Sequence, residues 1–212
     1  MMQIKSFIFN SFQVNAYLLF DETGQCLLVD AACSEPEERK KLTDFIGNHQ
    51  LALTHHINTH CHIDHVLGNH FIAETFHVFP QYHKKGEPML KMVQEIGLSF
   101  GYRLPPAPLA KQFLEEGDEI RFGNSVLKVF YTPGHAEGSI CLYSEKNGFV
   151  ITGDVLFKET IGRTDLPSGD FEQLMKSIQT KLFTLPEETI VYPGHGPETN
   201  IGYEKVNNPF IR

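Results

Sequence analysis

No stretch of the 212-residue chain approaches the ~20 consecutive apolar residues that a membrane span needs. A membrane partner is therefore not expected. Met1-Met2-Gln3-Ile4-Lys5 carries one lysine and no long apolar segment behind it, which argues against a secretory signal. Cysteine is scarce and unpatterned. Cys26, Cys33, Cys61 and Cys141 show no C-x-x-C spacing, so reduced thiols in a cytoplasmic protein are expected. Cations are outnumbered, 18 Lys and Arg against 26 Asp and Glu, for a formal net charge of −8. Such a chain does not attract a phosphate backbone, so nucleic acid is a poor partner. No linker, low-complexity tract or composition break divides the chain, and one domain over residues 1–212 is the simplest organisation.

Histidine, in contrast, is abundant, with 11 residues. Four of the seven residues in Thr59-His60-Cys61-His62-Ile63-Asp64-His65 can bind a metal through imidazole or carboxylate. In an extended segment alternate side chains share a face, so His60, His62 and Asp64 are expected on one side and Cys61 and Ile63 on the other. His65 joins them if the chain turns there into a helix. Three further candidates share a local grammar. Pro133-Gly134-His135 and Pro193-Gly194-His195 each follow an apolar strand pattern, and Thr152-Gly153-Asp154 does the same with a carboxylate. Pro and Gly end a strand sharply and place the next side chain on a strand-tip loop, where rigid scaffolds present reactive groups. Seven donors exceed what one tetrahedral ion needs and suit two ions about 3.5–4 Å apart. Imidazole and carboxylate accept zinc, iron and manganese, with zinc the expected ion. His49, His55, His56, His70, His77 and His83 fit no such pattern and read as surface or packing histidines.

The remaining pattern predicts alternating strands and helices, hence an α/β or α+β fold. Three strands fill residues 3 to 30. Ser34 and Glu37 are spaced as N-cap and N3 of a capping box, opening a helix that ends near Gly47-Asn48. Leu51 to Asn58 reads as a buried strand running into the histidine motif, and His77 to Pro80 as a short strand. Residues 86–99 read as a helix followed by a Pro-rich return, so that 81–108 is either a wall or lid over the site or a plain connecting segment. Gly123-Asn124 turns a hairpin, and Glu145-Lys146-Asn147-Gly148 joins two more strands. Asp170 caps a helix with an apolar face of Phe171, Leu174, Met175, Ile178 and Leu182. Thr189 to Tyr192 is the last strand, with a short helix from Asn200.

The ordered set His60-x-His62-x-Asp64-His65, Pro133-Gly134-His135, Gly153-Asp154 and Pro193-Gly194-His195 resembles the metallo-β-lactamase superfamily over nearly the whole chain. Gly162-Arg163-Thr164-Asp165 and Gly194-His195-Gly196-Pro197-Glu198-Thr199 are similar to the glyoxalase II (hydroxyacylglutathione hydrolase) group. The resemblance implies a four-layered αββα sandwich with its site at one edge of two sheets. It implies that His60, His62 and His135 hold one ion, that Asp64, His65 and His195 hold the other, and that Asp154 bridges. Asp64 and Asp154 are then also the catalytic carboxylates. A small-molecule thioester such as S-lactoylglutathione, attacked by a metal-bridging hydroxide, is the implied substrate. The chain ends at Arg212, without the C-terminal helical region of full-length glyoxalase II. The group's substrate-binding Lys falls at Arg163 and its neighbouring Tyr at Asp165. Arg163 and Lys158 are the expected substrate contacts, and a structural ion pair to an Asp is the other role open to Arg163. Two rivals share the pattern: a mononuclear iron persulfide dioxygenase and a catalytically silent metal-binding module.

Overall fold

The computed structural model describes residues 2–211. The N-terminal apolar runs form an antiparallel meander, β1 (Gln3–Phe9), β2 (Val14–Phe20) and β3 (Gln25–Val29). β2 is apolar on both faces because both are covered, and all but its last residue are buried. Helix α1 (Pro36–Asn48) follows, then β4 (Ala52–Ile57), the single turn α2 (Ile63–Val66), α3 (Asn69–Phe76) and β5 (Pro80–Gln81). A 3₁₀ turn (Lys84–Gly86) leads into α4 (Glu87–Lys91) and α5 (Val93–Ser99). The second half contains β6 (Glu119–Phe122), β7 (Ser125–Tyr131), β8 (Ile140–Ser144), β9 (Phe149–Gly153), β10 (Leu156–Phe157) and β11 (Thr160–Ile161). It ends with α6 (Phe171–Ser177), a π-helical turn (Ile178–Leu182), β12 (Ile190–Pro193), β13 (Thr199–Asn200) and α7 (Ile201–Asn207).

Two large sheets result, ordered β1-β2-β3-β4-β5 and β13-β12-β9-β8-β7-β6, with β10 and β11 paired as a separate two-stranded ribbon. Their facing surfaces share one apolar cluster, with Leu19, Leu27 and Ile57 from the first sheet against Phe122, Leu127, Val129, Leu142 and Ile151 from the second. The outer face of the first sheet buries Leu18 and Leu28 under Leu42 and Ile46 of α1 and Ile72 of α3. The outer face of the second buries Val150 and Val191 under Leu174, Ile178, Leu182 and Ile201. The layers therefore run helix, sheet, sheet, helix, the αββα sandwich anticipated above.

Strand direction decides where the tips lie. β3 and β4 are parallel. β7 and β9 are each antiparallel to β8, and β9 is parallel to β12. The C-terminal ends of β7, β9 and β12 thus meet at one edge, and Ile140 N–H at the start of β8 donates to Thr59 O at 2.8 Å, tying the end of β4 to the same edge.

Several local expectations shift. The cap of α1 lies one residue later, at Glu35. Pro36 takes the first helical position, where its missing N–H costs nothing, and Glu38 accepts from the Ser34 and Glu35 N–H groups at 2.7 and 3.1 Å. His77 caps α3 in the left-handed region (φ 59°), so no strand begins there and β5 starts only at Pro80. The helix expected over 86–99 breaks at Met92 into two short segments. Phe171 stands at the first position of α6 and is half exposed, outside the stripe that Leu174, Ile178 and Leu182 bury. Asp170 does cap α6, accepting from Gln173 N–H at 2.9 Å. No helix among the described residues is long and apolar enough to cross a membrane.

The sandwich core sets one expectation. Leu142→Ala should lower the unfolding free energy by about 2–5 kcal/mol in urea denaturation. Ile8→Thr, at an exposed edge-strand position, should change it by less than about 0.5 kcal/mol.

Candidate metal centre

The histidine motif is extended only as far as His62. The chain turns two residues earlier than expected, so Asp64 comes from α2 rather than from strand alternation, and His65 joins through the same helical turn, as expected. Cys61 does face away, packing with Tyr82, Leu90 and Val93, whereas Ile63 shares that cluster and also borders the cavity above the centre. His60 and His62 come from the loop after β4, His135 from the tip of β7, Asp154 from the tip of β9 and His195 from the tip of β12. All seven candidates meet. His60, His62 and His135 form one group whose ligand atoms lie within 4.8 Å of one another, Asp64, His65 and His195 form a second, and His60, His65 and Asp154 link the two.

The far side of four of the five imidazoles places a proton on Nδ1. His135 Nδ1 lies 2.8 Å from Arg163 O and His195 Nδ1 lies 3.1 Å from Phe12 O. A carbonyl oxygen only accepts, so Nδ1 carries the proton in both rings. His65 Nδ1 donates to Asp30 Oδ2 at 2.9 Å. Thr59 Oγ1 donates to Asp30 Oδ2 at 2.7 Å, which leaves it to accept from His60 Nδ1 at 3.1 Å. Four Nε2 lone pairs therefore point inward. His65 Nε2 faces His195 Nε2 at 3.3 Å, and His62 Nδ1 faces His135 Nε2 at 2.8 Å. Ring nitrogens this close repel unless a proton or a metal cation lies between them. His60 Nε2 and Asp154 Oδ1 are buried with no hydrogen-bond partner, an arrangement that costs free energy unless something positive satisfies it. The donor set of imidazole and carboxylate fits divalent zinc, iron or manganese.

The electrostatics agree. Burial alone would lower His65's proton affinity, but Asp64, Asp154 and Asp30 outweigh it and push the imidazole well above its usual range. Burial and the neighbouring histidines push His60 well below. Burial would raise both Asp64 and Asp154, yet His65 and His195 hold these carboxyls down. The centre thus holds ionised carboxylates and concentrates demand for positive charge.

Backbone constraints keep the donors converged. Gly134 adopts φ 136°, and a β-carbon there would collide with the backbone of Leu174. A β-carbon on Gly194 would collide with Asp154 Oδ1 and lie 2.8 Å from His65 Cε1. The Pro193–Gly196 loop is pinned to β2, with Tyr17 Oη donating to Pro193 O at 2.6 Å and Asn15 Nδ2 to Gly196 O at 2.8 Å.

Above the centre opens a cavity of about 650 Å³, reached by His62, Asp64, His135, Asp154 and His195. Arg163 lines it, but its guanidinium forks onto Asp165 at 2.7 and 2.8 Å. The structure does not bring Lys158 there. Its ammonium lies over the Tyr203 ring at 5.8 Å, beside Glu188 and Glu198, because the β10–β11 turn carries it outward. Residues 89–100 form a wall of the cavity and at the same time pack on the back of the histidine motif. Asp30 and the Thr59 hydroxyl were missed by the motif reading. The signal was present, since Asp30 is a carboxylate at a strand tip, as Asp154 is.

The metallo-beta-lactamase superfamily profile matches residues 10–195. The chain belongs to this superfamily. Curated relatives include the probable metallo-hydrolase YqgX of Bacillus subtilis, 36% identical over 94% of this chain and 92% of that one. Another is the hydroxyacylglutathione hydrolase GloC of Haemophilus influenzae, 33% identical over 99% and 98%. Among solved structures, the BLEG-1 B3 metallo-beta-lactamase superposes with a TM-score of 0.88 at 32% identity, covering 99% of each chain. A di-iron-bound TTHA1623 gives 0.86 at 32%, covering 97% and 99%. ETHE1 from Myxococcus xanthus gives 0.80 at 32%, covering 98% of this chain and 83% of that one. At this level the protein is a metal-dependent hydrolase of the metallo-beta-lactamase superfamily.

Two outcomes test the architecture of the centre. Asp30→Asn presents an amide N–H to donors that now share a carboxylate, and should weaken divalent-metal affinity about 10–100-fold in competition with a chelator. Gly194→Ala should reduce the metal content of the purified protein while its far-ultraviolet circular dichroism stays that of the parent.

Proposed function

We propose that the chain is a thioester hydrolase holding two divalent ions, zinc first among the candidates. His60, His62 and His135 would hold one ion, Asp64, His65 and His195 the other, and Asp154 would be shared. The observation that carries this reading is the convergence of ring nitrogens, His62 with His135 and His65 with His195, in two complete donor groups joined by Asp154. When bound, such ions supply Lewis acidity, lowering the pKa of water toward neutrality and polarising an acyl carbonyl. The chain's own part is orientation and charge. Asp64 borders the cavity, is kept ionised, and accepts a hydrogen bond from the attacking water. Asp30, Arg163 O and Phe12 O keep the imidazole lone pairs aimed at the centre. No side-chain nucleophile is required. Cys61 faces away from the cavity, and burial pushes its thiol far up.

The end-to-end likeness to a hydroxyacylglutathione hydrolase supports the thioester class. The likeness to ETHE1 raises the single-iron dioxygenase alternative, which uses two His and one Asp. Two complete donor groups favour two ions instead. The likeness to a B3 lactamase makes a β-lactam the second substrate to test. Four unpaired, buried cysteines support a reducing, cytoplasmic setting.

The purified protein should carry two ions per chain and hydrolyse S-lactoylglutathione. Chelation should abolish turnover and added zinc restore it. His60→Ala and Asp154→Ala should each lose both metal and more than about 100-fold in kcat/KM, beyond the 10–100-fold typical of outer-shell changes. One iron per chain with sulfur-dependent oxygen uptake would replace this reading by the dioxygenase. Turnover of a chromogenic β-lactam but of no thioester would replace it by the lactamase, and bound metal without any turnover by the silent module.

A further inference from the structure

The cavity has a polar floor and hydrocarbon walls. On one side Phe12, from the β1–β2 turn, meets Phe100 edge to face with ring centroids 5.5 Å apart, and Met89 and Ile96 extend the same wall. On the other side stand Phe157 and Leu166. Phe100 remains 53% exposed. An apolar rim around a few convergent polar groups is the usual form of a small-molecule site. The charge on these walls is equally informative. Arg163 is the one Arg or Lys among the residues lining the cavity, and its Nε and Nη2 are paired with Asp165, whose carboxylate offsets its charge. Lys158, the other expected contact, lies elsewhere. The cavity of about 650 Å³ has room for either a charged or an apolar thioester, so the lining decides. A glutathionyl group brings two carboxylates and one ammonium that would lose water against hydrocarbon, with only the Asp165-paired Arg163 as a side-chain cation to meet them, which is unfavourable. A hydrocarbon substituent gains from the same contact.

We propose that the site takes thioesters that are hydrocarbon on the acyl side and uncharged on the thiol side, such as arylacyl or alkylacyl groups on a small neutral thiol. The inference rests on the thioester reading above. In the reaction a bond forms between the oxygen of water and the acyl carbon, and the C–S bond breaks with its electron pair going to sulfur. The products are a carboxylate, a thiol and one proton.

The test crosses two acyl groups with two thiols on the metal-loaded enzyme, lactoyl and phenylacetyl on glutathione and on N-acetylcysteamine. S-phenylacetyl-N-acetylcysteamine should show a kcat/KM at least about tenfold above S-lactoylglutathione, the range a few hydrocarbon contacts supply, with most of the difference in KM. Phe100→Ser and Ile96→Ser should shrink that ratio toward one. Calorimetry gives a readout separate from turnover: phenylacetate should bind the parent about tenfold more tightly than lactate, and Phe100→Ser should erase the preference. Faster turnover of the glutathione thioester with either acyl group overturns the proposal, as does equal binding of the two carboxylates. Equal turnover of all four thioesters overturns this proposal alone and leaves the thioester reading intact. Turnover of none overturns the thioester reading, and this inference with it.

Discussion

The site hangs on one buried carboxylate. Asp30 follows the last residue of β3 in the left-handed region, at φ 53°, a conformation that costs a non-glycine residue on the order of 1 kcal/mol. It also buries a charge, which is unfavourable unless the charge is met. Three donors meet it: Thr59 N–H and Thr59 Oγ1 at 2.7 Å each, and His65 Nδ1 at 2.9 Å. These bonds do three jobs at once. They lock the tip of β3 to the start of the histidine motif. They aim His65 Nε2 inward. Through the Thr59 hydroxyl, they also oblige His60 to present its own Nε2. The strain and burial at Asp30 are offset by charge-assisted bonds, and the geometry of two inward-facing imidazoles depends on them.

From that constraint the electrostatics follow. Asp30, Asp64 and Asp154 surround His65 and raise its proton affinity, while His60, whose ring centroid lies 4.2 Å from that of His65, is pushed the other way. Imidazoles this close cannot all be protonated, yet their lone pairs cannot all face one another unmet. A compact divalent cation resolves both demands, because it takes several lone pairs and offsets two carboxylates in the space between them. The fit thus rests on the arrangement of acceptors rather than on the number of histidines.

The layered fold and the seven donors were legible in the sequence because each rests on local chemistry. Pro-Gly before His135 and His195, and Thr-Gly before Asp154, state a strand tip and its side chain in adjacent residues. Other features depend on contacts between distant segments and leave little local trace. Asp30 reads as an ordinary strand end until Thr59 and His65 are folded against it. Strand alternation places Asp64 beside His60 and His62, but α2 begins at Ile63, two residues before the turn expected at His65. The cap of α1 shifted from Ser34 to Glu35 because Pro36 decides which residue is first in the helix. Lys158 and Arg163 are close in sequence, but the β10–β11 turn sends one to the outer surface and leaves the other at the cavity, already held by Asp165.

Floor and walls are held by different kinds of constraint. The floor is fixed by backbone: Gly134 and Gly194 leave no room for a β-carbon, Asp30 is held in a strained φ, and Tyr17 and Asn15 pin the His195 loop to β2. A change at any of these moves a metal donor. The walls are fixed by packing alone. Residues 89–100 lie outside both sheets, on two short helices interrupted at Met92, and Phe100 at their end faces the cavity half exposed and clear of the cluster behind the histidine motif. Volume-conserving and even polar exchanges are tolerated far better at such positions than at a strained strand tip. One edge of the sandwich can therefore keep the same chemistry while the segments above it vary the substrate. Solved neighbours at the same 32% identity include a B3 metallo-beta-lactamase and an ETHE1 protein. The donors are thus held by the floor, while Phe12, Ile96 and Phe100 shape the space above them.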